Sequence, residues 1–177
     1  MKLFFEMKNS LRILLWTAIA AAVIPSCIID RIPSDAADLG PGDKVPGFSV
    51  KMSNGATVTD KMLAGSPSVI VFFHTGCGDC REELPVMQRL WQEYGKTVNI
   101  ICISRAESSE SVARYWEANG LTMPYSAQED SSLYYRFARS VIPRVYVIDR
   151  DLVIRQVFDD DPVASYEDLV AAISSIE

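Results

Sequence analysis

Residues 68–73, Ser-Val-Ile-Val-Phe-Phe, form an unbroken β-branched and aromatic run, and His-Thr-Gly-Cys-Gly-Asp-Cys follows at once over residues 74–80. A strand without polar alternation has to be covered on both faces, so this run belongs inside a sheet. The segment after it, REELPVMQRLWQEYG, places Leu84, Met87, Leu90, Trp91 and Tyr94 at helical spacing, with Gly95 as a stop. A buried strand, two cysteines three apart and an amphipathic helix are thus contiguous in the chain. Few folds accommodate that order, and it sets the frame for everything else.

The remaining pattern is consistent with an α/β domain. FSVKM and the stretch after Asn54-Gly55 read as two short strands joined by a tight turn, an N-terminal β-hairpin extension. Thr97 to Ile103 is a second apolar strand, Ser108 to Asn119 a helix and Asp130 to Arg139 a shorter helix. Val145 to Ile148 and Leu152 to Phe158 are strands about an Arg150-Asp151 turn, and Ser165 to Ile176 is a terminal helix. Strands alternating with helices predict parallel pairing, and the last tight turn predicts an antiparallel pair. The expected fold is a mixed central sheet with helices on both faces.

Composition narrows the function classes. Of 177 residues, 49% are hydrophobic, which is enough to build a core and excludes a disordered chain. The net charge is −6 with no basic stripe, which argues against nucleic acid as a partner. One histidine in the whole chain argues against a His-rich metal centre, and four cysteines are too few for a disulfide-stapled scaffold.

The first 26 residues read as an address. Lys2, Lys8 and Arg12 precede an apolar run from Ile13 to Ile24, shorter than the about 20 residues a membrane span needs. The run ends in Val-Ile-Pro-Ser-Cys, which resembles a bacterial lipobox cut before Cys27. The resemblance implies lipidation of Cys27 and an anchored envelope protein; Ile28 after it favours the outer membrane, facing the periplasm. Residues 28–43 are rich in Pro, Gly and Asp and read as a tether. The expected organisation is a cleaved signal over 1–26, a lipidated Cys and flexible tether over 27–43, and the folded domain over 44–177.

The chemistry lies in Cys77-Gly78-Asp79-Cys80. A cysteine at a helix mouth faces unpaired N–H groups and the positive helix end, so its thiolate is stabilised and Cys77 becomes the nucleophile. Cys80, one turn inside, is placed to attack the resulting mixed disulfide. Two other readings of the pair stay open at this level. A zinc site would need two further ligands, for which only Cys102 and His74 remain; a purely structural disulfide needs an oxidising compartment; Cys102 itself reads as a small buried hydrophobe. His74, if protonated, would stabilise the thiolate, if neutral it could shuttle protons, and otherwise it is a polar strand-end residue. Asp79 opposes the thiolate by its charge.

These residues resemble the thioredoxin superfamily, and within it the TlpA/ResA-like membrane-anchored thiol–disulfide oxidoreductases. The opening Gly-x-x-x-Pro-x-Phe at Gly42 to Phe48 is similar to that branch's entry strand. VIVFFHTGCGDCREELP is similar to its strand, Cys-x-x-Cys and helix, with Pro85 as the helix-kinking proline, and VIPRVYVID is similar to its cis-proline loop. The resemblance implies a cis Ile142-Pro143 bond beside Cys77, and a substrate-facing surface made by Ile142, Gly78 and Asp79. It implies a thioredoxin-like fold, protein disulfides as substrates, a membrane electron-donor protein as partner, and no cofactor beyond the Cys77–Cys80 couple. Thioredoxins proper carry a buried Asp where this chain has Val71. The branch's acidic residue three positions after the second cysteine falls on Glu83, which, if desolvated, could accept the resolving thiol's proton.

Two rival functions compete with this reading. A thiol peroxidase needs Pro-x-x-x-Thr-x-x-Cys, but Thr75 lies two residues before Cys77 and the proline is missing. A non-catalytic, lipid-anchored binding module would keep the fold without needing Cys77, Cys80, Glu83 and Pro143 together.

Overall fold

The computed structural model describes residues 32–176. The expected signal and the expected lipidation site, Cys27, lie outside the described residues. Seven strands and four α-helices follow in chain order among those residues: β1 Ser49–Lys51, β2 Thr57–Thr59, α1 Asp60–Leu63, β3 Ser68–Phe73, α2 Gly78–Tyr94, β4 Asn99–Ser104, α3 Ser109–Ala118, β5 Tyr125–Ser126, β6 Arg144–Ile148, β7 Ile154–Phe158 and α4 Tyr166–Ser174. β1 and β2 form the expected hairpin, in register Val50 to Val58, with Gly55 at φ +86° in its turn. The other strands form one mixed sheet in the order β5-β4-β3-β6-β7. β3 pairs parallel with β4 and antiparallel with β6, so the apolar run of residues 68–73 is the central strand and is buried throughout.

Because β3 has period two, its side chains feed two cores. Val69, Val71 and Phe73 face Leu84 and Met87 of α2, Val112 and Trp116 of α3, and Leu169 and Ile173 of α4. Ile70 and Phe72 face Phe48, Val50 and Leu63 of the N-terminal part, with Tyr134, Phe137 and Tyr146. The three longer helices therefore share one face. The other face is covered by the hairpin, the single turn of α1 and a 3-10 turn at Tyr134–Arg136.

That 3-10 turn replaces the helix expected over Asp130–Arg139. The carbonyls of Tyr135 and Phe137 accept the backbone N–H groups of Ala37 and Leu39, both at 2.8 Å, instead of serving a further helical turn. The same bonds revise the domain boundary expected at residue 44. Residues 36–43, read as flexible tether, pack as a strap: Ala36 is buried, and Gly42 and Asp43 pair with Ile154. β7 starts at Ile154 rather than Leu152 because the Asp149 carboxylate accepts the N–H groups of Asp151 and Val153, widening the turn. α1 and β5 were not anticipated; both are too short to carry a periodic signal.

Candidate active site

α2 begins where the sequence places its chemistry. Cys77 is the N-cap, and its sulfur accepts the backbone N–H of Cys80 at 3.4 Å. A side-chain acceptor at this position satisfies one of the unpaired N–H groups of a helix start, and a thiolate does so with added charge. Cys77 is half-buried; Cys80, one turn on, is fully buried. Both are free thiols, as is Cys102. Burial is the main cause that pushes the Cys80 thiol pKa strongly up, with the hydrogen bond and charge of Cys77 adding to it. Gly78 and Asp79 are exposed between the sulfurs.

The loop before β6 closes the site from the other side. The Ile142-Pro143 bond is cis, and the Cys77 thiol donates to the Ile142 carbonyl at 3.4 Å. Ile142 is half-buried and Pro143 buried. Cys77, Ile142 and Pro143, 65 residues apart in sequence, thus meet as the cis-proline resemblance implies.

Glu83 lies one turn beyond Cys80 on the buried side of α2. It is 1% exposed, and both carboxylate oxygens lack a hydrogen-bond partner among the described residues. Burial raises its pKa to about 7, against a smaller pull from the backbone amide of Ala164, which falls short of a formed hydrogen bond. A buried carboxylate left without donors holds its proton until near-neutral pH and is then a competent base. Glu82, its neighbour, is exposed.

His74 is half-buried and follows β3 directly. Its Nδ1 accepts the Gly76 N–H at 2.9 Å and lies 4.0 Å from a Glu107 carboxylate oxygen.

Glu107 is the residue that sequence reasoning missed. It is buried, accepts the Thr75 backbone N–H at 2.9 Å, and also accepts the Thr75 hydroxyl. The Thr75 carbonyl in turn accepts Arg81 Nε at 2.7 Å. A carboxylate from the loop after β4 thereby clamps the loop that carries Cys77. No local motif marks it, since its partner lies 32 residues earlier. Cys102 is buried on β4 against Met123, with burial pushing its pKa up, in keeping with a core role. No group of three or more potential metal ligands occurs among the described residues.

With this geometry in place, a protein-family model, AhpC/TSA, matches residues 41–157. The chain belongs to the AhpC/TSA family. The family match spans the hairpin, the Cys-x-x-Cys helix and the cis-proline loop. Among characterised relatives, the thiol-disulfide oxidoreductase ResA of Geobacillus kaustophilus is 24% identical over 175 residues, covering 97% of this chain and 99% of that protein. ResA of Bacillus anthracis is 25% identical over 135 residues, covering 75% of this chain and 78% of its own. The solved thiol:disulfide interchange protein of Chlorobium tepidum, a thioredoxin family protein, superposes with a TM-score of 0.66 at 23% identity, over 79% of this chain and 99% of that one. This AhpC/TSA member has the thioredoxin-like fold and is a thiol–disulfide oxidoreductase of the ResA type.

Proposed function

We propose that Cys77 and Cys80 are the couple through which this oxidoreductase exchanges disulfides in protein substrates. The observation that carries the reading is the placement of one half-exposed sulfur at a helix N-cap, against the Ile142 carbonyl, with a second sulfur buried one turn behind it. The Cys77 thiolate attacks a substrate disulfide, forming a mixed disulfide and expelling one substrate thiolate. Cys80 then loses its proton to Glu83 and attacks Cys77, expelling the second substrate thiolate and leaving a Cys77–Cys80 disulfide. Two electrons pass to the substrate, and an envelope membrane protein with its own dithiol returns them. No separate cofactor is required, because the sulfur pair holds the electrons.

Ile142, Pro143, Gly78 and Asp79 form the surface on which substrate rests. Arg81 and Glu107 hold the approach to Cys77 in place. The site acts outside the cytoplasm, held at a membrane by lipid on Cys27 and facing the periplasm from the outer membrane. Among the described residues no helix is long and apolar enough to cross a membrane.

The test is reduction of insulin by dithiothreitol with the full chain, beside Cys77→Ser. A Cys77-dependent rate supports the reading, and its absence refutes it. A peroxide-dependent rate without disulfide exchange would return the peroxidase alternative. Release of the Cys27→Ser chain from membranes checks the anchor.

A further inference from the structure

The cis-proline loop has a second peculiarity, one residue before Ile142. Val141 sits at φ +72°, in the left-handed region. A β-branched side chain there is crowded against its own backbone, and such a residue persists only when its surroundings over-determine it. What determines it is visible. The Tyr134 hydroxyl donates to the Val141 carbonyl at 2.7 Å. Tyr134 is 1% exposed, edge-on to Phe72 of the central strand at 5.5 Å between ring centres, and roofed by the Arg105 guanidinium 4.4 Å above its ring. Arg105 is itself pinned by its backbone N–H to the Phe73 carbonyl, at the end of the strand that leads to Cys77. Burial raises the Tyr134 pKa, so the hydroxyl remains a donor over the working range.

We propose that Tyr134 is a positioning residue for polypeptide substrates, through its hydrogen bond to the strained Val141. Residues 141 and 142 precede the first ladder pair of β6, Arg144 to Phe72, so their backbone lies outside the sheet and flanks Cys77. An extended chain presenting a disulfide to Cys77 runs along this edge. A small disulfide reaches Cys77 without using it. Losing the Tyr134 hydroxyl lets Val141 relax and moves the edge while both sulfurs stay in place. This inference rests on the oxidoreductase reading and adds to it the device that aligns the substrate chain.

The experiment compares insulin with hydroxyethyl disulfide as substrates for the full-length chain, its Tyr134→Phe variant, and the same pair in a Val141→Gly background. Phenylalanine keeps the ring contacts and removes only the donor. KM for insulin is expected to rise about tenfold, the worth of roughly one hydrogen bond, with kcat and the hydroxyethyl disulfide rate within about twofold. Glycine adopts positive φ without strain, so in the Val141→Gly background the same substitution should raise KM by no more than about twofold. Equal losses on both substrates, no change on either, or a tenfold effect that persists with glycine would overturn the assignment. A wild-type rate that is independent of Cys77 would instead refute the oxidoreductase reading.

Discussion

The two sulfurs of the site lie one helical turn apart and live in different media. Cys77 is half-exposed, receives an N–H from the helix start and touches the Ile142 carbonyl. Cys80 is sealed from solvent, its thiol is held protonated by burial, and the carboxylate of Glu83 is buried nearby on the same helix without a donor of its own. A helix N-terminus stabilises charge only within its first turn, whereas desolvation opposes charge everywhere. The outer sulfur therefore sits where the helix start favours charge, and the inner one needs a base at the moment it reacts. That contrast divides one motif into a nucleophile and a resolving group.

The largest expected effect breaks the contrast at its outer end. Cys77→Ser should abolish disulfide exchange, while Cys80→Ser should still attack and then stall, accumulating a mixed disulfide visible on non-reducing gels. Equal behaviour of the two variants would erase the distinction.

Glu83→Gln acts at the inner end. General bases contribute about 10²–10⁴-fold, so release of the mixed disulfide should slow at least tenfold near pH 7, and its pH dependence near that value should disappear. Stopped-flow traces of the second step against pH test this; an unchanged profile would make Glu83 a bystander.

The same carboxyl couples to stability, and the sign is fixed by the direction of its shift. Its pKa rises from 4.5 to about 7 on folding, so the folded state binds the proton more tightly than the unfolded state. The wild-type protein is accordingly most stable below pH 4.5 with respect to this group, and loses that contribution as pH rises toward 7, by about 3 kcal/mol. Glu83→Gln should remove this slope in urea titrations at pH 5 and pH 8. A parallel pair of curves would contradict the burial argument.

A smaller effect belongs to the clamp on the outer sulfur's loop. Glu107→Gln keeps one acceptor for Thr75 and loses the other, which should cost about 1–3 kcal/mol of stability and slow attack by Cys77 more than resolution by Cys80. Slowing of the second step instead would place Glu107 with the inner group.

The outer half of the site was legible in the sequence and much of its support was not. Residues 68–73, the Cys-x-x-Cys and the helix spacing act locally, so strand, cap and nucleophile follow from neighbours in the chain. Pro143 and Glu83 came from resemblance, and their positions agree with it. Glu107 and Tyr134 became visible only in three dimensions, because each acts on a backbone group brought to it by the fold. The strap over residues 36–43 was hidden for another reason: its Pro, Gly and Asp content reads as tether, yet its backbone bonds to Tyr135, Phe137 and Ile154 need no particular side chains. Those same bonds shortened the helix expected at Asp130–Arg139.

A redox titration of the full chain in glutathione buffers, with peptide mapping of alkylated thiols, probes the sulfur pair itself. The account predicts one reversible two-electron transition that links Cys77 to Cys80 and leaves Cys102 alkylatable in denaturant at every point. A pair that never oxidises, never reduces, or joins Cys102 instead would contradict it.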